Sequence, residues 1–108
     1  MNPSEISVQD LAALGPTARV IDVREPSEWD AGHVAHAELV PLATVPDRLE
    51  RFDGAPTYVI CRSGNRSGTA CRFLLDRGID AVNVAGGMLA WAEAGLPIDA
   101  GDPGTAGG

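Results

Sequence analysis

Residues 57–78 read TYVICRSGNRSGTACRFLLDRG, and the cysteine at position 61 is the residue best placed for chemistry. It follows a short apolar run directly and precedes a Gly-containing loop that turns into a helix. In an open α/β sheet, ligands gather outside the carboxyl ends of the strands, which is where this order puts Cys61. Three influences converge on its sulfur. Backbone N–H groups of a tight turn around Gly64 can form an anion nest. The N-terminus of the following helix adds partial positive charge. Arg62 and Arg66 bring full charges. Each favours thiolate over thiol, so the predicted chemistry is that of an activated cysteine nucleophile near neutral pH. The same groups would hold an anionic substrate or a charged sulfur adduct.

Cys71 reads differently. It shares a helix face with Ala70, Leu74 and Leu75, which makes it a packing residue; cysteine commonly behaves as a small hydrophobe.

The elements that must position the loop follow from the apolar pattern. Ser7 caps a predicted helix through Leu11 and Leu14, which Gly15-Pro16 stops. RVIDV (19–23) is a compact β-branched strand. A short helix is expected over PSEWDAGH, with Ser27 as its N-cap and Gly32 as its end. AELVPL is a weak strand, closed by Pro41. From Thr44, TVPDRLERF sets Val45, Leu49 and Phe52 at helical spacing, with Pro46 tolerated in the first turn. TYVI (57–60) is the next strand. Residues 67–77 form a helix ended by Gly78, AVNVA (81–85) a strand, and GGMLAWAEAG a last helix before Gly95 and Pro97. Strands that alternate with helices and lack hairpin turns imply an α/β fold with parallel pairing. Helices on both faces explain why the strands are apolar throughout.

A chain of 108 residues is one domain, large enough for a hydrophobic core. Hydrophobic residues make up 44% and charged residues 21%, an ordinary globular balance. The formal net charge of -7 argues against a nucleic-acid partner, which usually needs a basic face. No apolar run approaches the roughly 20 residues that cross a bilayer, and the first residues, MNPSEISVQD, do not have the pattern of a secretory signal. A cytoplasmic location is the expectation, and there a disulfide between the two cysteines is not expected. Residues 100–108 are Gly-rich with nothing to bury, and disorder is expected there.

Three ordered blocks carry a further signal: VIDVREPSEWDAGHV (20–34), CRSGNRS (61–67) and VNVAGGMLAWAEAGLPI (82–98). On these the chain resembles the rhodanese homology family in its single-domain form, over nearly the whole chain apart from the first few residues and the tail, which implies one domain over residues 1–99. The resemblance implies a five-stranded, mainly parallel sheet with helices on both faces. It also implies sulfur transfer. A sulfane sulfur passes from thiosulfate or a similar small anionic donor to Cys61, giving a persulfide, and then to an acceptor such as cyanide, a thiol or a protein. The backbone of Arg62, Ser63, Gly64, Asn65, Arg66 and Ser67 would cradle the persulfide. Arg62 and Arg66 would attract the sulfonate end of the donor, and the Ser67 hydroxyl would bond the adduct. The implied reaction is a double displacement that needs no metal or cofactor. Asp22, Arg24, Glu28 and His33 match the family's N-terminal signature, and we read them as structural support. Arg24, with its planar paired donors, braces carboxylates near a strand end, and His33 bonds backbone. Trp29 and Trp91 read as core or core-edge residues. The family commonly has Gly-Ala where this chain has His36-Ala37, so His36 reads as a surface variation.

Two other functions compete. Related phosphatases and arsenate reductases place five residues between cysteine and arginine, wide enough for a tetrahedral oxyanion. Here four residues separate Cys61 from Arg66, which favours a single sulfur atom. A non-catalytic or sulfur-carrier module that binds a partner protein is the other alternative, although such modules usually lack the loop cysteine.

Overall fold

A computed structural model describes residues 3–100. The chain runs β1 (Glu5–Ile6), α1 (Val8–Leu14), β2 (Arg19–Asp22), α2 (Pro26–Ala31), β3 (Glu38–Leu39), two 3-10 turns (Leu42–Asp47 and Leu49–Phe52), β4 (Thr57–Ile60), α3 (Asn65–Leu75), β5 (Ala81–Val84) and α4 (Gly87–Glu93). The five strands form one sheet in the order β1-β5-β4-β2-β3, and every pairing between them is parallel. β4 is the central strand, so the loop that follows it leaves from the middle of the sheet.

Because neighbouring strand residues point to opposite faces, each β-branched run feeds two cores. Ile21, Val23, Val59, Cys61 and Ala81 pack with Ala70, Cys71 and Leu74 of α3 and with Val45 and Phe52 of the 3-10 turns. Val20, Ile60 and Val84 pack on the other face with Val8 and Leu11 of α1 and with Met88 and Trp91 of α4. The packing extends to residue 99, where Asp99 and His33 form an antiparallel bridge. Only the start of the Gly-rich tail, Ala100, is described; the disorder expected there falls on residues 101–108, outside the described residues.

The local differences from the sequence reading have physical causes. α2 is capped at Glu25, not Ser27. Pro26 has no N–H to leave unpaired and its φ suits a first helical position, so the helix starts one residue before Ser27. The Glu28 carboxylate accepts from the Glu25 N–H at 3.1 Å, one half of a capping box. The expected helix from Thr44 is two 3-10 turns. Pro46 cannot donate within a helix interior, and Arg48, at φ -129°, breaks the run. Val45 and Phe52 still turn inward and are buried. β1 is a two-residue strand paired in register with β5, and nothing in its length signals a strand. α3 begins at Asn65, two residues earlier than expected, because Gly64 adopts φ +102° and turns the chain into the helix at once.

Candidate active site

β4 ends at Ile60, and Cys61 follows with only 1% of its surface exposed. Its sulfur is surrounded by donors from the turn. The Gly64 N–H donates to Sγ at 3.1 Å, and the Ser67 hydroxyl lies 3.3 Å from it. Burial is the largest single influence and pushes the Cys61 thiol up. The Ser67 hydroxyl and the N–H groups of Ser67, Gly64 and Ser63 together outweigh it, so the thiol lies below its ordinary range. The sequence reading shared this task among the turn N–H groups, the helix N-terminus and the two arginines. The geometry gives it mainly to neutral donors in the first turn of α3 and the residues before it.

Arg66 is engaged elsewhere. Its two terminal nitrogens donate to the two carboxylate oxygens of Glu28 at 2.7 and 2.8 Å. This planar fork holds the Glu28 carboxyl down at about 2. Arg62 is exposed and forms no ion pair among the described residues. It borders an open cleft of about 330 Å³ whose rim includes Arg24, Glu28, Met88, Leu89 and Ile98. Ser63 and Asn65 are exposed on the loop's outer side, so their contribution to the sulfur site is through backbone.

The other predicted residues assemble beside the loop. Asp22 ends β2 next to Ile60 of β4. Its carboxylate takes the Arg24 guanidinium at 2.8–3.0 Å, and Arg24 also donates to the Gly32 carbonyl at 2.7 Å. Both side chains are buried, so the pair braces the junction between β2 and the segment after α2 without a net charge. His33 is fully buried, stacks on Trp29 with ring centres 3.6 Å apart, and bonds the Trp29 carbonyl through Nδ1 at 2.8 Å. Trp91 is buried and donates its indole N–H to the Pro97 carbonyl. His36 is exposed. Cys71 is fully buried in the core cluster, and burial pushes its thiol up to about 12.

The chain has counterparts among known proteins. The pattern described as a rhodanese-like domain matches residues 7–94. The chain belongs to the rhodanese-like family. Among its relatives, the putative sulfurtransferase YtwF of Bacillus subtilis is 42% identical over 73 residues, covering 67% of this chain and 71% of that protein. Thiosulfate sulfurtransferase GlpE of Pseudomonas entomophila is 35% identical over 85 residues, covering 77% of this chain and 78% of its own. A Synechocystis protein, slr1261, is 40% identical over 80 residues, which are 72% of this chain, and the chain spans 45% of that relative's length. In three dimensions the chain is similar to a rhodanese-related protein from Thermoplasma volcanium, with a TM-score of 0.84 and 33% identity over 89% of this chain and 97% of that one. The fold is therefore the rhodanese fold, and the family is one of sulfurtransferases.

Two parts of this rhodanese site escaped the sequence reading. One is the junction of β5 and α4. The N–H groups of Met88 and Leu89 donate to the carbonyls of Cys61 and Arg62 at 2.8 and 3.0 Å. Gly87, at φ +55°, lies so close that a Cβ there would collide with the Cys61 carbonyl. The Gly86-Gly87 pair was a signal for this close approach. The other is Asn83 of β5, buried to 4% exposure and bonded to Ser67. A polar residue inside an apolar strand was its signal, since such a group must find partners.

Proposed function

We propose that the protein moves a sulfane sulfur from thiosulfate or a similar small anion to a thiophilic acceptor through a Cys61 persulfide. The observation that carries this reading is the sulfur cradle. A buried cysteine receives donors from Gly64 and Ser67 that favour its anionic form, and those donors suit one sulfur atom better than a tetrahedral oxyanion. The thiolate attacks the sulfane sulfur of thiosulfate, the sulfur–sulfur bond of the donor breaks, and sulfite leaves with the bonding pair. The acceptor then attacks the outer sulfur of the persulfide, and the Cys61 thiolate leaves. Charge and electrons balance without an outside oxidant. Arg62, exposed at the edge of the cleft, meets the sulfonate in this reading. Arg66 has three guanidinium N–H groups beyond its pair with Glu28, and these add to the same positive field.

Intact-protein mass spectrometry after incubation with thiosulfate tests the reading. One sulfur atom should be added to the wild type and to Cys71→Ser, and none to Cys61→Ser. An adduct that survives in Cys61→Ser rules the assignment out. No adduct in any of the three favours the non-catalytic module over the enzyme.

A further inference from the structure

The Ser67 hydroxyl has two neighbours and one proton. Its oxygen lies 2.5 Å from Asn83 Oδ1 and 3.3 Å from Cys61 Sγ. The orientation of the Asn83 amide follows from its other contacts. Its Nδ2 faces the Gly64 carbonyl at 3.1 Å and a Glu5 carboxylate oxygen at 3.2 Å. Both are acceptors, so the amide nitrogen must point at them, and Oδ1 must accept from Ser67. The short contact to Oδ1 claims the hydroxyl proton. A protonated Cys61 is accommodated, because its S–H can donate to the Ser67 oxygen. An anionic Cys61, or its persulfide, keeps the Gly64 N–H but gains the Ser67 hydroxyl only when that proton turns towards sulfur, which leaves Asn83 Oδ1 buried without a donor.

We propose that Asn83 is a positioning residue that competes with sulfur for the single Ser67 proton and so sets how readily Cys61 becomes anionic. The register of the sheet builds this arrangement. Asn83 shares the sheet face of Ala81, towards α3, and β1 brings Glu5 opposite it as its pairing partner. No bond to carbon or sulfur changes in the proton turn; one hydroxyl proton rotates from an amide oxygen to a sulfur anion. The role concerns the resting balance between nucleophile and leaving group: Asn83 draws the Ser67 proton away from sulfur between turnovers, against the turn N–H groups that favour the anion, and Ser67 turns that proton to sulfur when sulfur carries charge. The Gly64 carbonyl does not depend on Asn83 alone, since it also accepts from the Gly68 N–H at 3.1 Å.

The inference rests on Cys61 being the nucleophile, and thiol alkylation tests it with no sulfur donor present, so its failure is separable from failure of sulfur transfer. The rate of iodoacetamide labelling at Cys61 is measured against pH, with the site read by peptide mass spectrometry. Ser67→Ala should move the midpoint to higher pH. Asn83→Val should move it to lower pH. Below the midpoint, labelling of Asn83→Val should be roughly two- to threefold faster, because one neutral hydrogen bond favours the anion about fivefold and the less basic thiolate gives back about half of that on a logarithmic scale. In a Ser67→Ala background Asn83→Val should have no effect. Asn83→Ala should reproduce the fall if the valine variant does not fold. A midpoint that is unchanged or raised in the Asn83 variants overturns the proposal. An equal fall in the Ser67→Ala background also overturns it, because Asn83 would then act through Gly64 or Glu5.

Discussion

The two cysteines are alike in burial, yet their thiols are shifted in opposite directions. Cys61 and Cys71 are ten residues apart, both are free, and both belong to the same core cluster with no more than 1% exposure. Burial pushes both thiols up. Cys71 lies mid-helix, where backbone N–H groups are spent on the helix itself, and its thiol is pushed up to about 12. Cys61 lies where the chain has just left a strand and the N–H groups of a helix start are unspent. Four donors there reverse the sign. What separates the proposed nucleophile from the packing residue is the supply of unspent donors rather than access to solvent.

The sharpest way to break this comparison is to label the folded protein with iodoacetamide at pH 7. One label should enter, at Cys61, and a second only in denaturant. Labelling of Cys71 at a similar rate in the folded protein would remove the distinction. The next largest effect is expected from Gly87→Ala. A non-glycine residue at φ +55° costs about 1–3 kcal/mol, and the collision with the Cys61 carbonyl adds to that. For a domain of this size each kcal/mol lowers Tm by roughly 4–8 °C. Labelling of Cys61 should slow in this variant while Cys71 stays silent. An unchanged Tm and Cys61 rate would show that α4 does not hold the loop.

The pH dependence of stability separates the cysteines by sign. The folded state ionises Cys61 before the unfolded chain does, so this thiol makes stability rise with pH up to the unfolded value, about 8.5. Cys71 is the reverse. Between about 8.5 and about 12 the unfolded chain loses its proton while the folded protein keeps it, so stability falls as pH rises. Denaturant titrations from pH 8.5 to 10.5 should show a smaller loss in Cys71→Ala than in wild type. Parallel curves would mean that Cys71 does not titrate on unfolding. The smallest effect belongs to the part-buried Glu28–Arg66 ion pair beside the loop. The Glu28 carboxyl, held at about 2 by Arg66, supports the fold fully above its ordinary 4.5, and that support is lost as pH falls towards 2. Glu28→Gln keeps the amide-capping oxygen and should flatten this acid limb modestly, since exposed pairs contribute little. An acid limb as steep as that of the wild type would assign the loss to other carboxylates.

The strand, cysteine, loop and helix around Cys61 were legible in sequence because they are contiguous, and their order alone implies the donors. The alternation of elements gave the parallel sheet for the same reason. Long-range pairings were less visible. Glu28 and Arg66 are 38 residues apart, and each alone reads as an ordinary surface charge. Arg66 seemed free for substrate because nothing local shows its partner. Asn83 sits in an apolar strand whose neighbours fix its role only once β1, α3 and β5 have met. The 3-10 turns were read as one helix because the inward positions of Val45, Leu49 and Phe52 suit either winding.

The bonds from α4 to the carbonyls of Cys61 and Arg62 also bear on how this protein could be redesigned. They pull the peptide oxygens of the loop outward, which leaves its N–H groups to face the sulfur. Apart from the Ser67 hydroxyl, the groups that favour charge at sulfur are therefore main chain, while Arg62, Ser63 and Asn65 lie exposed. Those three positions can be exchanged in a library without dismantling the cradle. Selection for a new donor or acceptor could then search side chains alone, on a sulfur cradle that is inherited intact.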